Sequence, residues 1–337
     1  MGFGVGLGIV LLSAGLTYLF RQYALCTKLL DHPCARSSHD VPTPRGGGVA
    51  VVATFLGCAL FLWMFDYIQF ITLVIFWVCG CGVALVGFID DHYHLPARLR
   101  FTVHLTSASL ALILLPQLSY LQLFYFDVPF GFVGFFIPVL GLVWLLNLYN
   151  FMDGVDGIAG QETIVVTLTA AFIIWLHDGD LGHICLLYSM AAATLGFLVW
   201  NWPPAKIFMG DACSGFLGFS LGILALITSA SGAINFWSWL ILLAYFVIDA
   251  TITLLRRVQR GNKFYEAHRS HAYQIMARRW QSHKKVTLLV FCLNIVWCVP
   301  LAVLASYYPA WGAVITIIAF SLPAILVIMA GAGTTNN

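Results

Sequence analysis

Apolar runs of about twenty residues, long enough to cross a bilayer as a helix, recur from one end of the chain to the other. Eleven windows fit this pattern, at roughly 2–20, 46–65, 68–88, 101–119, 132–149, 160–177, 181–200, 213–230, 235–255, 286–306 and 309–330. Backbone groups in lipid must be paired within the segment, so the windows predict helices. The pattern predicts an all-α polytopic bundle of about eleven transmembrane helices. The short polar and aromatic stretch at 120–131 fits a hairpin between two of them. No internal repeat or soluble domain interrupts the series, so residues 1–337 read as one integral-membrane domain, with a large basic loop at 256–285.

Composition agrees: 61% of residues are hydrophobic and 9% are charged, against about 25% charged in soluble domains. The first window lacks a positively charged leading region and a convincing cleavage site, so it reads as a retained helix. The nine cysteines form no C-x-x-C pair, and most lie in apolar runs as small hydrophobes. They predict neither a disulfide framework nor a zinc site.

Charge placement adds sidedness. Arg21, Lys28, Arg36 and Arg45 fall in the first loop, Arg98 and Arg100 in the third, and Lys206 in the seventh. Arg256, Arg257, Arg260, Lys263, Arg269, Arg278, Arg279, Lys284 and Lys285 fall in or beside the ninth. The even loops carry only the acids Asp66, Asp127, Asp178 and Asp180. By the positive-inside rule the odd loops are cytoplasmic. The N-terminus is then outside and the C-terminus inside, as expected in a bacterial inner (cytoplasmic) membrane.

Five further acids lie on that same face. Asp90 and Asp91 stand in GFIDDHYH, Asp153 and Asp156 in NLYNFMDGVDG, and Asp211 in IFMGDACSG. Any one of them alone reads as a helix cap or turn residue. As a set, with no Lys or Arg in the fifth loop, they suggest a divalent cation. Oxygen donors suit Mg²⁺ or Mn²⁺ held together with substrate phosphates. The ninth loop adds HRSH, where cationic donors and imidazoles suit phosphate oxygens. Its other cations, Arg278, Arg279, Lys284 and Lys285, also fit simple contact with anionic lipid. Arg45 in PTPRGGG fits either a phosphate contact or a tight entry into the second helix. Asp249 is the charged group read as lying within a span. It fits a functional role or a local pair with Arg256 or Arg257.

With these residues in view, the chain resembles the polyprenyl-phosphate N-acetylhexosamine-1-phosphate transferases. PTPRGGG, GFIDD, NLYNFMDGVDG, FMGD and HRSHAYQ occur in the family's order, each on the expected cytoplasmic face. The resemblance implies transfer of a sugar 1-phosphate from a UDP-N-acetylhexosamine to undecaprenyl phosphate, with release of UMP. It implies Asp211 as the most direct magnesium ligand, with Asp90 and Asp91 near the metal and the lipid phosphate. It implies Asn147, Asn150, Asp153 and Asp156 at the nucleotide, Phe208 stacked on uracil, and His271 on the diphosphate; Arg45, His268 and Arg269 join them as candidate substrate contacts on their own phosphate-binding chemistry. The catalytic set implied is Asp90, Asp91, Asp211 and His271. Tyr273 and Gln274 replace histidines of the better-known members. That departure points to the branch that initiates O-antigen or related surface polysaccharides, including lipopolysaccharide, with GlcNAc, FucNAc or QuiNAc as open donors. The sequence leaves a homodimer open.

Two other classes fit less well. The CDP-alcohol phosphatidyltransferases need an Arg and downstream acids that D-G-V-D-G-I-A lacks. A nucleotide-sugar or lipid transporter would carry its polar groups near the bilayer midplane, whereas here they gather at one surface.

Overall fold

A computed structural model describes residues 3–31, 41–93, 95–115, 120–123, 126–129, 132–262 and 268–334. Arg36, Lys263 and the start of SSHDVPTPRGGG lie outside these residues. The described chain is an all-helical membrane bundle. Its helices are α1 (Phe3–Cys26), α2 (Val49–Met64), α3 (Phe70–Val74), α4 (Cys81–Tyr93), α5 (Ala97–Leu114), α6 (Phe132–Met152), α7 (Ile158–Leu176) and α8 (Leu181–Asn201). They continue with α9 (Asp211–Ala230), α10 (Phe236–Leu242), α11 (Ala244–Gln259), α12 (Ala272–Trp280), α13 (His283–Leu293), α14 (Val299–Tyr307) and α15 (Gly312–Ala330). Wide π turns at 75–80 and 294–298 join α3 to α4 and α13 to α14 as continuous rods.

Eight of these rods are long and apolar enough to cross a membrane, and the bent pair α10–α11 brings the number to nine. Helices also cover the remaining two expected windows, but α2 has only 16 residues and α5 carries Arg98, Arg100 and His104. Helices α7, α8 and α9 form the buried centre, with α1 and α2 against α8, and α4 and α6 against α9. Two small antiparallel pairs complete the fold. Strand β1 (Leu30–Asp31) pairs with β2 (Thr43–Pro44). Strand β3 (Tyr120–Leu123) pairs with β4 (Phe126–Pro129), at the place where the sequence suggested a hairpin.

The window at 235–255 is not one straight helix. It bends by 72° between α10 and α11, because different partners hold its two halves. Asn235 caps α10 at Ser238 and donates to the Ala305 carbonyl at 2.8 Å, while the Ser238 hydroxyl reaches Ala302. Beyond the bend, α11 packs on α12 and α15. A second departure concerns charge. The spans are not free of acids apart from Asp249: Glu162 is fully buried in α7. It accepts a short hydrogen bond from the Asn294 amide at the start of the second π turn. The Gln-Glu pair opening an otherwise apolar window reads as a helix end, although the helix carries it into the core.

Candidate active site

Two loops far apart in sequence interlock at one end of the bundle. The Gly47 and Gly48 amides donate to the Phe208 and Met209 carbonyls at 2.9 and 3.0 Å, and the Phe208 amide donates to Pro44 at 2.8 Å. Three glycines permit the contact. A Cβ at Gly48 would sit 2.1 Å from the Cys213 Cβ, and one at Gly87 only 2.4 Å from the Asp211 carbonyl oxygen. Gly210 has φ +84°, and a Cβ there would meet the Asp91 carboxylate. Gly48 of PTPRGGG thus seats the start of α2, and Gly87 just before FIDD seats α4, against the start of α9.

This seam gathers the acids. Asp91 is buried, and its carboxylate accepts the Asp211 and Ala212 amides at 3.3 and 3.5 Å. It covers the N-terminal end of α9, where the helix dipole favours an anion. Asp90 accepts the Leu95 amide at 2.6 Å and a short ion pair from Arg100. The same Arg100 nitrogen lies 3.4 Å from the Asp211 carboxylate. Arg45 stands close enough to Asp91 to act on its charge. Asn150, at the end of α6, donates to the Ser214 hydroxyl at 3.2 Å and lies beside Asp211.

Asp153 faces the same cluster from the loop between α6 and α7. Burial, and then the negative charges of Asp211, Asp91 and Asp156, push its carboxyl well above the usual carboxylate range. Asp156 is held differently. Its carboxylate pairs with His283 at 3.0 Å and accepts the Ala205 amide at 3.0 Å, while its carbonyl accepts the Thr287 hydroxyl at 2.8 Å. Asn147 bonds back to Val143 in its own helix. Phe208 contributes its backbone to the seam.

The ninth loop closes over this loop. The Tyr273 hydroxyl donates to the Phe151 carbonyl at 2.7 Å. His271 stacks between His268, with ring centres 4.8 Å apart, and Phe151, at 6.2 Å. Burial, then His271 and Arg257, push His268 down to about 3. Nδ1 of its ring is hydrogen-bonded with the Ser270 hydroxyl at 3.0 Å. Arg269 accepts the Arg278 guanidinium on its carbonyl. Tyr273 and Gln274, the residues that break the histidine run, help seat α12 on the Asp153 loop: both crowd Gly154.

The structure therefore brings together Asp90, Asp91, Asp211, Asp153, Asn150 and Arg45, with His271 and His268 in the covering layer. Asn147 is turned into its helix, and Asp156 serves as a tie between loops. Arg100 and Ser214 are the residues that sequence reading passed over. Arg100, counted for sidedness, stands ten residues after Asp90 and meets it across the break between α4 and α5.

The donor set suits a hard divalent cation. Four carboxylates (Asp90, Asp91, Asp153 and Asp211) face two guanidinium groups (Arg45 and Arg100), which leaves two formal negative charges. Among the described residues no three His, Cys, Asp or Glu side chains already form a closed cage. Asp90 and Asp91 are engaged by Arg100 and by the α9 amides. Magnesium needs only one or two carboxylates when phosphates and water complete its shell, and Asp211 with Asp153 fit that number.

Comparison with known proteins agrees with this geometry. The model of glycosyl transferase family 4 matches residues 73–229. A probable undecaprenyl-phosphate N-acetylglucosaminyl 1-phosphate transferase of Bacillus subtilis is 28% identical over 86% of this chain and 81% of its own length. The decaprenyl-phosphate N-acetylglucosaminephosphotransferase of Mycobacterium leprae is 28% identical over 85% of this chain and 79% of its own. The undecaprenyl-phosphate alpha-N-acetylglucosaminyl 1-phosphate transferase of Escherichia coli K12 is 25% identical over 90% of this chain and 85% of its own. The seam of PTPRGGG and FMGD and the acids it gathers thus lie in a chain whose residues 73–229 match glycosyl transferase family 4 and which is similar over most of its length to proteins named polyprenyl-phosphate N-acetylglucosamine-1-phosphate transferases.

Proposed function

We propose that the protein transfers an N-acetylhexosamine 1-phosphate from a UDP-sugar to undecaprenyl phosphate and releases UMP. This is the first membrane step of a cell-envelope polysaccharide, O-antigen included. The observation that carries the reading is the carboxylate and arginine cluster at one end of a membrane bundle. Two phosphate-bearing substrates, one from water and one from lipid, can meet there. The relatives' names favour GlcNAc as the first donor to test. The sidedness of the cations favours eleven helices, an outer N-terminus and a site on the cytoplasmic face of the inner membrane.

An oxygen of the lipid phosphate attacks the β-phosphorus, and the bond to UMP breaks. One phosphoanhydride replaces another, so positioning and charge neutralisation dominate. Asp211 and Asp153 would hold magnesium, or manganese in its place, whose charge would offset that of the diphosphate oxygens. Arg100 leaves the carboxylates to take a phosphate, and Arg45 supports the second anion. Asn150 and Ser214 fix the floor of the site, while His271, His268 and Arg269 cover the diphosphate. Phe208 offers the uracil face. Asp90, held by Arg100, acts through charge; a base is dispensable because the lipid phosphate is already ionised near neutral pH.

The test is UMP release by purified protein with undecaprenyl phosphate, Mg²⁺ and a panel of UDP-N-acetylhexosamines. Lipid-dependent and metal-dependent release with one sugar is expected. Release without metal, or none across the panel from intact protein, would overturn the assignment, and the second result would favour transport.

A further inference from the structure

Asp249 is fully buried in α11, and Arg256 is not its partner, since it reaches the Ala332 carbonyl at 3.0 Å instead. The Asp249 carboxylate accepts the Ala272 amide at 2.9 Å, the Tyr273 amide at 3.1 Å and the Thr253 hydroxyl at 3.1 Å. Its Oδ1 lies 3.4 Å from Nδ1 of His271, itself only 2% exposed. The approach falls outside hydrogen-bond alignment, so the carboxylate and the ring share a close contact along one wall. Two amides that α12 cannot satisfy internally are thus capped by an acid 23 residues earlier, on a different helix. The 72° bend aims α11 at this loop. From the opposite side, the Gly333 amide donates to the Ser270 carbonyl at 2.9 Å. The groups around the carboxylate are His271, with His268 stacked on it, and Tyr245, Tyr273 and Arg257.

We infer that Asp249 is a positioning residue for the transfer reaction, acting through His271. It fixes the imidazole and the first turn of α12 against Phe151 and the Asp153 loop. The inference rests on the reading that this end of the bundle is the transferase site. A buried acid offered solely as a fold element would need no imidazole. Here one carboxylate satisfies the helix start and sets the ring that the helix start carries. Partners of this kind, one shell behind a substrate-contacting group, commonly change activity by ~10–100-fold at metal sites.

The experiment uses the full chain in detergent and compares Asp249→Asn, His271→Ala, the double variant and Thr253→Val. Turnover of the unaltered protein reads the transferase assignment by itself. Asp249→Asn should lower kcat by about 10–100-fold, with KM for either substrate changed less than about threefold. In the His271→Ala background the same change should cost less than about threefold, because residues acting as one unit are non-additive. Amides 272 and 273 should exchange with deuterium faster in Asp249→Asn. Thr253→Val, which removes a single bond to the carboxylate, should lower kcat a few-fold and lose that effect without His271. The inference is overturned if Asp249→Asn turns over normally, if its loss multiplies with that of His271→Ala, or if His271→Ala is fully active. Should Asp249→Asn fail to fold, the Thr253→Val pair decides: a loss that persists without His271 makes the role structural.

Discussion

The molecule uses its buried and half-buried carboxylates in two ways. Asp249 and Asp156 each sit beside a histidine and accept backbone amides; they tie helices and loops together. Asp90 and Asp91 accept amides too, but with Asp153 and Asp211 they crowd one another, with two arginines among them. A carboxylate that accepts amide hydrogen bonds contributes to stability, whereas clustered like charges oppose folding until a cation joins them. The difference separates acids that build the fold from acids held ready for a ligand.

Asp211→Asn should widen that contrast most. Removing an electrostatic partner of this kind costs ~10²–10³-fold in kcat, yet it relieves repulsion in the cluster. UMP release should collapse while the melting temperature of the metal-free protein holds or rises. A falling melting temperature would move Asp211 into the structural group.

Gly87→Ala strikes the seam that brings the two acidic segments together. The new methyl group would meet the Asp211 backbone, which cannot swing aside as a side chain can. Overpacking of this order costs about 1–3 kcal/mol, and turnover should fall with it. A stable, fully active Gly87→Ala would mean that the start of α9 shifts freely.

The smallest effect is in pH dependence. An unfolded aspartate titrates near ~3.9, and Asp153 titrates well above that range in the fold. Between the two values the folded state holds the extra proton, so this group's contribution to stability falls as pH rises through that window. In metal-free protein Asp153→Asn should flatten the fall, and millimolar Mg²⁺ should flatten it for the unaltered chain. Chemical denaturation across the window measures both. An unchanged slope in Asp153→Asn would place the titration elsewhere.

Much of this was legible in the sequence. The apolar windows located the helices, and the odd loops shared the motifs that meet in the site. What periodicity could not show was pairing across distance. Arg100 looks like one more flanking cation until α5 folds back on Asp90. Asp249 looks like a partner for the arginines about two turns away, because nothing local reveals that residues 272 and 273 will start a helix above it. Glu162 was hidden by its place at the edge of a window. The bend at Leu243 lacks a proline or glycine to announce it; it follows from where the two halves pack.

The interlocked loops also set an order of assembly. Gly47 and Gly48 bond to Phe208 and Met209, so the first loop waits through the synthesis and insertion of six further helical rods before its partner exists. Until then its backbone amides and Arg45 face the membrane surface without their native partners. The acidic pair after α4 likewise waits for α9 to supply its amides. Slow-folding long-range contacts of this kind are where misassembly begins.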